Sequence, residues 1–164
     1  MIPYYFSGLL LAALWSPSQE IRSIEVGGMS IDWQETADAW IFTLTAPTDG
    51  WVALGFNEQN NIVHANLIMG AMKNGEVVFE DQYVVGAGLH PMIETLGGTA
   101  AIYGLWGKEA TGRTTVGFSI PKVSNDGFHK NLSAGSQVWL ICAYSVSDDF
   151  DHHSRMREHV RVKL

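Results

Sequence analysis

Leu67-Ile68-Met69-Gly70-Ala71-Met72 and Glu76-Val77-Val78-Phe79-Glu80-Asp81-Gln82-Tyr83-Val84-Val85 stand on either side of Asn74-Gly75. An Asn-Gly pair supplies the two positive-φ residues of a tight hairpin turn, so the flanking runs read as two antiparallel strands. Upstream, Gly50-Trp51-Val52-Ala53-Leu54-Gly55-Phe56 follows the turn signal Thr48-Asp49-Gly50. Before it, Trp40, Phe42 and Leu44 alternate with Thr43 and Thr45, and Met29 to Trp33 alternates as well. That period is two, not 3.6, and β-branching at the threonines favours strands. Downstream, Ala100–Trp106, Thr114–Ile120, Gln137–Tyr144 and a last strand near Arg157–Leu164 continue the series. Short strands with Gly-rich punctuation and no capped amphipathic helix between them predict one all-β domain, an antiparallel sandwich of about 8–11 strands.

The 164 residues suit one domain, and 46% hydrophobic against 16% charged residues can build a core. A formal charge of −7 lacks the basic footprint of a nucleic-acid binder, so no nucleic-acid partner is expected. The single cysteine, Cys142, excludes an internal disulfide, two-thioether haem attachment and any all-cysteine metal site. It lies in the apolar run Val138–Tyr144 and reads as inert core. At the N-terminus, Phe6 to Trp15 is apolar and is followed by Ser16-Pro17. That length suits the hydrophobic region of a signal peptide and is too short for a membrane span. Residues 1–18 are therefore expected to be an export signal and 19–164 the folded domain, although Met1–Tyr5 carries no Lys or Arg. The alternative is a core strand or a short anchoring helix. No transmembrane span is expected in the mature chain.

Four segments then occur in a telling order: Gly50–Asn57; His64-Ala65-Asn66-Leu67-Ile68-Met69-Gly70; Asp81-Gln82-Tyr83; and Val138–Tyr144 leading to Asp148-Asp149-Phe150-Asp151-His152-His153-Ser154. From about Ile24 to Leu164 the chain resembles the DOMON family. The resemblance implies an immunoglobulin-like β-sandwich outside the cytoplasm (periplasmic, secreted or at the cell surface). Its members bind b-type haem or sugars and act as electron-transfer modules or as appendages of redox enzymes.

A haem iron needs one or two axial donors and an apolar slot that excludes water. The family's loop methionine falls at Ile62, which cannot ligate, while His64 stands two residues on. The closing-loop histidine matches His152 or His153, and His153 is preferred because a small residue and an arginine, Ser154-Arg155, follow it. The resemblance thus implies a bis-histidine haem b site, His64 with His153. Arg155 and Arg157 are candidates for the propionates through charge-assisted bonds. On the residues alone, Arg155, Arg157, His159, Arg161 and Lys163 form one face of a strand whose basic side chains protect an edge.

Other readings stay open. His64 reads equally as a polar residue at a strand entrance, and His152-His153 as a solvent loop. Asp148, Asp149 and Asp151 are candidate metal ligands, acceptors that orient a ligating imidazole, or a solvated turn. Met69 and Met72 are possible thioether donors whose place on an apolar strand favours core packing, and His90 and His129 read as loop residues. No H-E-x-x-H, G-x-S-x-G or phosphate-binding glycine loop is present, so no enzyme is expected. Three function classes remain. One is a haem b module serving a redox partner protein. Another is a haem-free sugar or small-ligand binder, with Trp106 and Tyr103 as stacking candidates. The last is an interaction domain or one holding a non-haem metal.

Overall fold

The computed structural model describes residues 20–164, so the expected leader, 1–18, lies outside the described residues. Ten strands follow: β1 (Ile21–Val26), β2 (Met29–Glu35), β3 (Ala39–Ala46), β4 (Val52–Asn57), β5 (Asn66–Lys73), β6 (Glu76–Tyr83), β7 (Tyr103–Glu109), β8 (Thr114–Pro121), β9 (Gln137–Tyr144) and β10 (Met156–Lys163). They form two five-stranded antiparallel sheets, β1-β2-β3-β8-β7 and β10-β9-β4-β5-β6, which face each other as a β-sandwich. A single 3-10 turn at Ile93–Leu96 lies between β6 and β7. No described helix is long and apolar enough to cross a membrane.

The Asn74-Gly75 turn forms as its chemistry requires, with φ of 55° and 82°, and pairs β5 with β6 in the register Lys73↔Glu76. A second hairpin, β1–β2, turns on Gly27 and Gly28, both at positive φ. The alternation pattern had not marked β1, because Ile21–Val26 is an edge strand with mixed composition and largely exposed side chains. In β10 the alternation is as expected: Met156, Val160 and Val162 pack on the core while Arg157, Arg161 and Lys163 face away.

Period-two burial fills the space between the sheets. Met29, Ile31 and Trp33 from β2, Trp40, Phe42 and Leu44 from β3, and Val116, Phe118 and Ile120 from β8 meet Leu54, Phe56, Ile68, Leu140 and Cys142 of the other sheet. Phe42 stands 5.2 Å from Phe56 across the sandwich and 5.6 Å from Phe118 beside it. Each such buried ring contributes about 1.5–3 kcal/mol over an exposed one. Trp40 donates its buried Nε1–H to Leu132 O at 2.5 Å, which pins the segment after β8 to the core. Burial and the neighbouring Glu158 push the Cys142 thiol up to about 12, in line with an inert core residue.

His129 lies in a loop, as expected, but its side chain is buried in a polar network. Its Nε2 lies 2.9 Å from Asp81 Oδ2 and its Nδ1 lies 2.7 Å from Asp126 Oδ2. Asp81 also accepts from Asn66 Nδ2 (2.7 Å) and from the Ala101 amide (2.9 Å). The network clamps the 126–129 turn and the chain at Ala101 onto β5 and β6. The Phe128 ring packs edge-on against Tyr83 at 5.4 Å.

Candidate functional site

The middle strands of the second sheet, β9, β4 and β5, are buried on both faces. Their inward residues serve the main core. Their outward residues, Trp51, Ala53, Leu67, Met69, Ile141 and Ala143, form a second apolar cluster with Val84 and Phe150. Among the described residues no third sheet covers this cluster. Its cover consists of the segment after β4 carrying Ile62, the segment from Val84 to His90 after β6, and the closing loop from Phe150 to Ser154, with Arg157 at the rim. Between floor and cover lies a cleft of about 130 Å³ that opens to solvent.

Local hydrogen bonding explains how the cover is held. Trp51 N donates to Ser147 O, and Ser145 N donates to Trp51 O, so the chain beyond β9 stays paired to the start of β4. Gly50 permits this close approach, because a Cβ there would sit 2.5 Å from Ser145 O and from Ser147 N. Ser145 Oγ donates to His153 O at 2.9 Å and the His152 amide donates to Asp149 O at 2.9 Å, which shapes the closing loop. After β4, Asn57 Nδ2 donates to Asn61 O at 2.6 Å and to Val63 O at 3.1 Å. His159 Nδ1 meets Asn60 Oδ1 at 2.8 Å.

The cleft gathers some of the residues expected from sequence and leaves others aside. His152 and His153 line it, exposed at its loop wall, and Arg157 stands at its rim. Ile62 is also in the wall. His64 is not among the lining residues: it is exposed, at φ 70°, with Nδ1 3.3 Å from Tyr83 Oη. Arg155 is likewise outside the lining, its amide donating to Tyr144 O. Asp151 lines the cleft, and Asp149 instead accepts from the Asp151 amide at 3.1 Å. Asp148 has one buried carboxylate oxygen without a partner; burial, reinforced by Asp49 and opposed by Lys73, raises its pKa. Among the described residues, no three His, Cys, Asp or Glu side chains converge as a metal-ion site.

Three lining residues were not picked out as site residues from sequence. Met69 reads as core, which it is, but core of the outer cluster, so its thioether borders the cleft. Trp51 lies in the floor with its buried Nε1–H unpartnered among the described residues, an orphan donor beside the cleft. His90 lines the cleft from the side of β6, with Nδ1 2.7 Å from Gln82 Oε1. The spacing Gln82 to His90 across a Gly-containing loop was the available signal, visible only once the loop is seen to fold back.

The donor chemistry here is three imidazoles, a thioether, a guanidinium and an indole N–H around an apolar floor. Such a set can hold a flat, largely apolar ligand that bears acidic groups and accepts nitrogen or sulfur donors. Solved structures share the fold. The cytochrome b domain of pyranose dehydrogenase from Coprinopsis cinerea superposes with a TM-score of 0.62 at 8% identity, covering 90% of this chain and 88% of that one. The cytochrome domain of Myriococcum thermophilum cellobiose dehydrogenase gives a TM-score of 0.59 at 12% identity, covering 89% and 82%. No curated protein matches the sequence. The DOMON domain profile matches residues 25–145, from β1 through the end of β9, and the chain belongs to the DOMON domain family.

Proposed function

We propose that the chain is a haem b-binding module that works outside the cytoplasm and passes electrons to a redox partner protein. The observation that carries this reading is the cleft: an apolar floor on the outer face of β9, β4 and β5, with imidazoles and a guanidinium at its edges. Family membership and the cytochrome-domain likeness of the fold support it. Export rests on the apolar segment 6–15, which suits a leader.

The residues present fit the group. His153, backed by His152 on the same loop, offers neutral imidazole nitrogen to an iron. Arg157 at the rim, together with the unpartnered Trp51 Nε1–H, suits acidic substituents. The small Ala53 and Ala143 keep the floor low, and Leu67, Ile141 and Phe150 make it apolar. Haem b held there would supply a one-electron carrier; the protein's part is to ligate, to orient and to keep the ring dry. Electron transfer needs no general acid, general base or nucleophile, and none is proposed.

The test is a visible spectrum of the purified protein, titrated with hemin and then reduced. The expected result is a Soret shift and a six-coordinate low-spin species that His153→Ala abolishes and His152→Ala largely spares. Binding weakens as the pH falls through the imidazole range, because a protonated histidine cannot ligate. No Soret shift with the wild-type chain would refute the haem reading.

A haem-free sugar-binding reading has one observation in its favour. On β7, at the edge of the other sheet, Trp106 is exposed, with its indole over Gly117 and beside Thr43, Thr45 and Thr115. Glycan-dependent quenching of Trp106 fluorescence, absent in Trp106→Ala, would support that reading.

A further inference from the structure

We infer that His90 is the imidazole that faces the closing-loop histidine across the cleft, and that Gln82 and Glu80 orient it for ligation. The inference rests on the haem reading above and moves the second donor away from His64.

The argument begins with hydrogen-bond direction. Glu80 Oε2 lies 2.6 Å from Gln82 Nε2, and a carboxylate can only accept there, so the Gln82 amide must present its NH2 group to Glu80. Its carbonyl oxygen then points the other way, to His90 Nδ1 at 2.7 Å. A carbonyl oxygen cannot donate, so His90 must carry its proton on Nδ1 and donate to Gln82. The lone pair of a neutral His90 is thereby fixed on Nε2. A metal-ligating histidine is normally held in this way, its other ring N–H given to an acceptor that sets tautomer and ring angle and raises ligand basicity. The relay is protected: Gln82 is buried, and Glu80 and His90 are half-buried.

Position agrees with direction. His90 lines the cleft with His152 and His153, but on the β6 side, not on the closing loop. Its backbone is anchored on both flanks, by Val85 N donating to Leu89 O at 3.0 Å and by Tyr83 N donating to Pro91 O at 3.0 Å. His64 has neither property. It is outside the lining, and its Nδ1 meets only the Tyr83 hydroxyl. Met69 does line the cleft, but as a buried part of the floor on β5.

The experiment uses the full chain loaded with hemin and compares His90→Ala, His64→Ala and Met69→Leu by absorption and electron paramagnetic resonance, with circular dichroism to check folding. His90→Ala is expected to convert the six-coordinate low-spin species to a five-coordinate high-spin one, and added imidazole is expected to restore the low-spin bands. His64→Ala and Met69→Leu are expected to keep the wild-type spectrum. The relay has its own readout: Gln82→Leu, which removes the acceptor, should raise the midpoint potential above that of the wild type. If the wild type binds hemin and His90→Ala leaves the spectrum unchanged, or if His64→Ala or Met69→Leu causes the conversion instead, the assignment of His90 is overturned while the haem reading stands. If the wild type gives no Soret shift, both fall. A Gln82→Leu potential equal to that of the wild type would refute the orienting relay.

Discussion

His129→Ala should remove a buried charge that two carboxylates require. Both ring nitrogens of His129 face carboxylate oxygens, Asp81 at 2.9 Å and Asp126 at 2.7 Å, so both must carry protons and the ring is an imidazolium. Burial alone would lower the pKa of His129; hydrogen bonds and charge from Asp81 and Asp126 outweigh it and raise the value above the ordinary imidazole range. Taking one partner from a buried ion pair costs about 3–5 kcal/mol. Asp81 keeps its bonds from Asn66 and Ala101, which points to the lower figure, about 3 kcal/mol. Asp126 is partly exposed and adds roughly 0–1 kcal/mol. At about 2–4 °C per kcal/mol for a chain of this size, a total of about 3–4 kcal/mol should lower Tm by roughly 6–16 °C. The sign of the pH dependence follows from the raised pKa. The contribution is fully present below the unfolded value near 6.5 and is lost as the pH rises through the higher folded value. Urea titrations of wild type and variant from pH 5 to pH 10 measure the difference directly. A gap below about 1 kcal/mol at pH 6, or one that does not narrow at alkaline pH, would refute the imidazolium assignment.

Other outcomes can be checked by simple means. Gly50→Ala places a Cβ 2.5 Å from backbone atoms of Ser145 and Ser147, and should cost about 1–3 kcal/mol in a urea titration. Hemin affinity should fall with it, because the closing loop shifts. Asp126, whose pKa hydrogen bonds from His129 and Phe128 bring down to about 2 against the opposing effect of burial, should lose its contribution between about pH 4 and pH 2. Asp126→Asn should flatten that limb of the acid titration. The Cys142 thiol, pushed up to about 12 and buried, should not react with a disulfide reagent at pH 8 until denaturant is added. Ala143→Phe fills the cleft floor, so hemin binding should disappear while the circular dichroism spectrum is retained.

Period and turn chemistry carried most of the fold. Asn74-Gly75 determined a hairpin and its register, and Val138–Tyr144 read as a buried strand that matches β9. These signals are local, and the physics behind them is local too. What period two cannot distinguish is which buried face belongs to which core. β5 reads as a continuous apolar run because both its faces are covered, so Met69 looked like ordinary packing when it borders a cleft. His129 and its partner Asp81 are 48 residues apart, and nothing in either neighbourhood marks the pair. His90 sat among glycines and looked like solvent loop, yet its role depends on Gln82, which is buried on a neighbouring strand. The closing loop was legible for the opposite reason: His152-His153-Ser154-Arg155 is contiguous, and the structure brings both histidines to the cleft.

Among the described residues, the sheet β10-β9-β4-β5-β6 has the other sheet on one side and loops on the other. Its two faces therefore open at different free energies. Amides of β4 and β9 are locked between neighbouring strands and should exchange with solvent hydrogen only when the whole domain unfolds. Amides at 86–90 and 149–155 are covered by little more than turn hydrogen bonds and should exchange through small local openings. A ligand in the cleft would rest against these segments. Occupancy would therefore register as slowed local exchange in the cover, and as slowed global exchange in the sandwich beneath, because a bound ligand stabilises the whole fold.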